Sequence, residues 1–114
     1  MRNHYYFSID DLASARGSDP QLAWDGANPA DLAAAVQEAL RTPALFERWR
    51  ATQPEPDEVD TSLAVTDPGA EVKAAVADLR VDLELTTTLP MRVVRQRLNL
   101  LIGPHWQLRD MRAA

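Results

Sequence analysis

The sequence predicts a two-layer α+β sandwich, with helices on one face of an antiparallel four-stranded sheet. Three segments alternate apolar and polar residues with a period of two, which is typical of strands that bury one face. Two other segments carry apolar residues at helical spacing, and each of them begins at a proline. A chain of 114 residues is long enough to close one core. We therefore predict one domain over residues 1–114.

The first strand is expected over residues 4–9. Its buried face should consist of Tyr5, Phe7 and Ile9. Ser8 stands three residues before an aspartate, which predicts a capping box and a short helix over residues 10–16. A turn-rich loop follows, and Trp24 is expected to anchor it to the core because an indole ring is costly to leave in water.

The clearest helix begins at Asn28-Pro29, where Asn serves as the N-cap and Pro occupies the first turn. Thr42-Pro43 repeats this start signal, so the helix should break there and a second helix should end before Gln53. Because prolines and acids dominate residues 53–61, we predict a flexible acidic connector in that region.

Two segments after the connector have weaker patterns. Residues 62–66 are expected to form a short strand, followed by a turn. Residues 71–78 fit both a helical stripe and strand alternation, and we favour the helix.

The strongest strand is expected over residues 79–89. Its buried face should consist of Leu79, Val81, Leu83 and Leu85. Pro90 should end this strand and begin a last helix over residues 91–102, which Gly103 closes. A last strand is expected over residues 105–111, with Trp106 and Leu108 on one side. Two helices between strands, separated by a strand pair, make the βαββαβ order of a ferredoxin-like sandwich.

Charge is sorted along the chain, whose net charge is −5. Residues 55–84 hold nine acids and two bases, whereas residues 90–114 hold five arginines and one aspartate. Such opposite fields favour docking of a charged partner or pairing within the fold. The expected docking set, mostly on the polar face of the last helix, consists of Arg92, Arg95, Gln96, Asn99, Arg109 and Arg112. Alternatively, these arginines are solvated and pair with Asp82, Glu84 or the acidic connector.

The sequence offers little for catalysis. It contains no cysteine, no phosphate-binding loop and no nucleophile elbow. His4 and His105 each begin an expected strand, and antiparallel neighbours would place them at opposite ends of the sheet. The acids of the connector lack the glycine turn of a calcium loop. We therefore predict no catalytic residue, no metal site and no cofactor.

We predict a non-catalytic, cytoplasmic protein-interaction or regulatory domain. It would bind a partner protein, or a second copy of itself, through a sheet edge or the arginine-rich face of the last helix. One alternative is a nucleic-acid-binding regulator that uses the C-terminal arginines; another is a small-ligand-binding domain or enzyme. The exposed face of the sheet, expected to carry Tyr6, Arg80, Thr86, His105, Gln107 and Arg109, is a candidate surface for stacking RNA bases, although it has only one tyrosine, and Asp82 and Glu84 on the same face would repel phosphate. The small-ligand alternative requires a concave pocket, and the sequence assigns no residues to one.

Overall fold

A computed structural model describes residues 2–114 as an α+β fold with a four-stranded sheet and three α-helices. In chain order the elements are β1 (Asn3–Ile9), α1 (Pro29–Arg41), α2 (Ala44–Ala51), β2 (Glu71–Ala77), β3 (Arg80–Thr87), α3 (Met91–Ile102) and β4 (Gln107–Ala113). Short 3-10 turns lie at Leu12–Ser14, Pro56–Glu58 and Thr61–Ala64. Within residues 2–114, no helix combines the length and the apolar character needed to cross a bilayer.

The sheet has the strand order β2-β3-β1-β4, and each strand is antiparallel to its neighbours. β1 and β3 lie in the middle, so β2 and β4 form the two edges. The register places Tyr5 opposite Leu85 and Phe7 opposite Leu83. All four side chains are buried on the face that the helices cover. The prediction of a small α+β fold with an antiparallel four-stranded sheet is confirmed.

The helices begin and end where the sequence predicts. The side chain of Asn28 accepts a hydrogen bond from the Asp31 N–H at the start of α1. The chain breaks at Pro43, and α2 follows. The core stripes of these helices are buried as expected, and they include Leu32, Val36, Leu40, Leu98 and Ile102.

The loop before α1 is anchored by Trp24, as predicted. Its ring is buried, and its Nε1 donates to the carbonyl of Ala15 at 2.6 Å. The Arg16 guanidinium lies 4.1 Å from the centre of the ring. The helix predicted over residues 10–16 is reduced to the 3-10 turn Leu12–Ser14. Ser8 does not cap it, because Ser8 lies in β1 and its hydroxyl accepts from Arg109.

The preference for a helix over residues 71–78 is wrong. This segment is β2, which pairs with β3 without interruption from Glu71 to Ala77. A two-residue turn, Asp78 and Leu79, joins the strands, and Asp78 takes a left-handed φ of 57°. Leu79 is therefore not on the buried face of a strand; its side chain is 96% exposed in the turn.

The short strand predicted over residues 62–66 is also wrong, because Thr61–Ala64 forms a 3-10 turn. The Asp60 side chain caps this turn by accepting from the Ser62 N–H. The carbonyls of Leu63 and Val65 accept hydrogen bonds from the side chain of Arg97. Since these backbone groups are already bonded, the segment does not join the sheet.

Candidate interaction site

The structure divides the predicted docking set between two sides of the molecule. Arg92, Arg95, Gln96 and Asn99 lie on α3, in the helical layer. Arg109 and Arg112 lie on β4, at the other side of the sheet. The six residues therefore do not form one surface.

Most polar groups of the α3 part already have partners within the chain. Arg92 forms an ion pair with Asp60 of the acidic connector, with a nitrogen–oxygen distance of 3.2 Å. Gln96 accepts from Arg97, and Asn99 accepts from the indole of Trp106. The Arg92–Asp60 pair is what the alternative interpretation of the arginines expected. Exposed pairs of this kind stabilise a fold by only about 0–1 kcal/mol.

A buried arginine on α3, Arg97, was not predicted. Its exposure is 0%, and no carboxylate within residues 2–114 forms an ion pair with it. Nε donates to the carbonyl of Ala39, which lacks its usual helical donor because residue 43 is a proline. The other two nitrogens bond the carbonyls of Leu63 and Val65, so Arg97 links the segment after the connector to α1 and α3. Burial lowers the pKa of Arg97, but guanidinium groups remain charged in proteins.

A second buried polar group, Asp67, links the turn before β2 to the end of β3. Its carboxylate accepts from the Thr87 hydroxyl at 2.8 Å and from the N–H groups of Thr88 and Gly69. Burial alone would raise the pKa of Asp67, but these hydrogen bonds outweigh it, and the pKa lies below its ordinary value. Both buried polar groups therefore serve the fold.

The sheet face opposite the helices, here called the open face, is polar. It carries Tyr6 with cross-strand neighbours Glu84 and Asp110, as the registers of β1 require. The prediction for this face is confirmed for Tyr6, Arg80, Thr86, Gln107 and Arg109. His105 is the exception, because it precedes β4 and lies near Asp11.

A concavity of about 570 Å³ lies on the open face. Its lining includes Tyr6, the three bases Lys73, Arg80 and Arg109, and the two acids Asp82 and Glu84. Volumes of about 300–1,000 Å³ are typical of small-molecule sites.

The histidines do not form a reactive centre. His4 lies at the start of β1, where its Nδ1 is 2.9 Å from the Thr86 hydroxyl. His105 lies beyond the other end of β1, next to a cavity bordered by Asp10 and Asp11. No group of three or more potential metal ligands occurs among the described residues.

The β4 edge is protected against pairing with another strand. Its register shifts between Tyr6 and Phe7, so Arg109 is an extra residue that forms a bulge. The N–H of Met111 is already bonded to the Asp110 side chain at 2.8 Å. The Arg112 guanidinium, 2.7 Å from Asp110, lowers the pKa of that carboxylate, so charge persists at this edge. Bulges and charges are devices that prevent edge-to-edge association.

The β2 edge lacks these devices over residues 74–77, whose sequence is Ala-Ala-Val-Ala. The Val72 N–H points away from β3 and bonds Gln37 of α1 at 3.2 Å. Because donors alternate along a strand, the N–H groups of Ala74 and Val76 point outward as well. Neither has a partner in residues 2–114, and the Val76 side chain is 67% exposed.

Small residues of α1 flank this edge. Arg41 bonds the Ala70 carbonyl, and Gln37 bonds Val72, so α1 runs opposite to β2. Ala33 and Ala30 lie one and two turns before Gln37 on the same side of the helix. At about 1.5 Å per helical residue and about 3.3 Å per strand residue, they lie level with residues 74 and 75.

No family model matches this sequence, and neither the curated proteins nor the solved structures give a match.

Proposed function

We propose that this chain is a non-catalytic protein-interaction domain that binds a second copy of itself through the β2 edge. The observation that carries the proposal is the uncharged, unbulged run of residues 74–77, whose outward backbone groups have no partner. An edge of this kind is a template for strand addition.

An antiparallel pairing centred on Ala75 fits this edge. It would place Ala74 of one copy opposite Val76 of the other, so that the outward N–H and C=O groups of both residues are bonded. Ala75 would face Ala75 across the two-fold axis at roughly 4.5 Å between Cα atoms, a spacing that small side chains accommodate. Lys73 would face Ala77, so no like charges oppose one another. The Val72 N–H would keep its bond to Gln37.

The part of α1 next to the β2 edge is also compatible with a second copy of the chain as the partner. Ala30 and Ala33 present only methyl groups next to the edge, so this part of α1 leaves room for a second helix. The two-fold axis would bring the same stretch of α1 from the second copy against them. The exposed Val76 side chain would then be covered by apolar atoms of the second copy.

The topology supports a related proposal, that this architecture is the ferredoxin-like one. β3 follows β2 through a tight turn and lies between β1 and β2, while α1 and α3 each join strands that are not neighbours. This order fits the split βαβ arrangement and so supports the proposal. Such an architecture hosts many functions, so the interaction proposal rests on the β2 edge.

The test uses charge at the two-fold axis. Ala75→Lys and Ala75→Glu leave the β2–β3 pairing intact because residue 75 points to the open face. We expect light scattering to give the wild type twice the chain mass of 12.7 kDa and each variant the mass of one chain. Mixing the two variants should restore the dimer, because Lys would then face Glu.

Ala113→Lys is the matched control, since it places the same charge on the exposed β4 edge and should leave the dimer intact. Circular dichroism of each variant verifies the fold. A wild type that stays monomeric at high concentration contradicts the proposal, and so does an Ala75→Lys variant that still dimerises.

A further inference from the structure

We infer that the concavity on the open face binds a small molecule that carries a carboxylate or phosphate group, with Arg109 as its main anchor. The concavity borders the β2 edge at Ala74 and Ala75, but its main anchor lies elsewhere. Arg109 reaches it from β4, on the far side of the sheet from β2.

Arg109 is held in position by a buried neutral group. Its Nε donates to the Ser8 hydroxyl at 2.7 Å, and Ser8 is only 1% exposed. The two terminal nitrogens of the guanidinium have no partner among the described residues. Since the Nε bond fixes the plane of the fork, these nitrogens are available for two parallel bonds to an oxyanion.

The acids near Arg109 do not neutralise it. Asp110 is paired with Arg112 at 2.7 Å, and Asp82 is paired with Arg80 at 3.1 Å. Lys73, at the β2 side of the concavity, forms no ion pair within residues 2–114. Arg109 and Lys73 therefore lie at opposite sides of one concavity, each without an ion pair among the described residues, and the carboxylate of Glu84 lies between them.

Two other residues of the concavity, Glu84 and Tyr6, restrict the chemical class of the ligand further. Glu84, which also has no ion pair, lies between Lys73 and Tyr6 in the sheet and would accept a hydrogen bond from a ligand hydroxyl or N–H. The Tyr6 ring lines the concavity and provides an apolar surface for a flat ligand. Because Asp82 and Glu84 would repel a run of phosphates, the geometry favours a small molecule with one acidic group over a nucleic acid.

Phenyl phosphate and benzoate are suitable probes, with phenol as the neutral analogue. In a titration followed by ¹H–¹⁵N NMR, we expect saturable shifts at Tyr6, Lys73 and Arg109 with one of the two anions and none with phenol. Phenyl phosphate alone would assign a phosphate ligand, and benzoate alone a carboxylate. Equal binding of phenol would overturn the inference, because the anionic group would then be unnecessary.

Arg109→Gln should weaken anion binding by at least about tenfold, since it removes two charge-assisted hydrogen bonds. Arg95→Gln changes the net charge equally but lies on α3, so its affinity should match that of the wild type. Unchanged affinity in Arg109→Gln, or the absence of any saturable shift, contradicts the inference. Self-association is tested by molecular mass and anion binding by NMR titration. Failure of one proposal can therefore be distinguished from failure of the other.

Discussion

Replacing Arg97 by Met tests how the segment that contains Leu63 and Val65 is held to α1 and α3. Methionine is unbranched and apolar, so it follows the path of the arginine stem without leaving a large cavity. It removes the donors that reach the carbonyls of Ala39, Leu63 and Val65. It also removes a buried charge that has no carboxylate partner, and this second effect is stabilising.

The loss of donors should be the larger effect. Ala39 is buried, and Pro43 leaves its carbonyl with no backbone donor, so that group alone costs about 1–3 kcal/mol when unsatisfied. The carbonyls of Leu63 and Val65 lie on a partly exposed turn and regain water, so each adds about 0.5–1 kcal/mol. Relief of guanidinium desolvation offsets part of this sum. We expect a net loss of about 2 kcal/mol in the free energy of unfolding.

Urea unfolding at neutral pH measures this loss. With an m-value of roughly 2 kcal/mol/M, the midpoint should fall by about 1 M. Arg95→Met on the exposed face of the same helix is the control, and it should change stability by less than about 0.5 kcal/mol. An Arg97→Met protein as stable as the wild type, or more stable, would show that desolvation of the guanidinium dominates and that our reasoning is wrong.

Two further predictions concern the core and the buried carboxylate. Leu83→Ala and Leu98→Ala should each lower the free energy of unfolding by about 2–5 kcal/mol, because both side chains are fully buried. Urea unfolding measures this loss. A loss below about 1 kcal/mol at both positions would mean that other faces of β3 and α3 are buried. Asp67 has a lowered pKa in the folded state, so its stabilising contribution is present above the ordinary carboxyl pKa of about 4 and is lost as pH falls through the lower folded value. Asp67→Asn should therefore lower stability at pH 7 and reduce its pH dependence in the acid range, and a wild-type slope of stability against pH in this variant would contradict the assignment.

The strongly periodic parts of the fold could be predicted from the sequence. Residues 91–102 carry a clear apolar stripe between Pro90 and Gly103, and α3 has those bounds. β2 was harder because alanine suits both periods, and Ala-Ala-Val leaves the period undefined. Its conformation is decided by pairing with β3, a tertiary interaction that local pattern does not contain.

The surfaces were less predictable than the elements. Arg97 lies four residues after Val93 and four before Leu101, on the apolar stripe of the helix. This position was the one sequence feature that indicated a buried arginine. The orphaned carbonyl of Ala39 that it satisfies lies 58 residues away in sequence. The bulge at Arg109 could not be predicted from the sequence of β4 alone. A bulge is an extra residue relative to the neighbouring strand, so it is recognised only from the pairing of β4 with β1.

The contrast between the two sheet edges limits how far the sheet can grow. The proposed contact is two-fold symmetric, so it would occupy the β2 edge of both molecules. In the proposed dimer the two outer edges of the eight-stranded sheet would both be β4, which is interrupted by its bulge and carries charged side chains. Growth into a fibril requires an edge strand that can pair with another copy after every addition. The proposed dimer would have no such edge strand, so growth would stop at two copies.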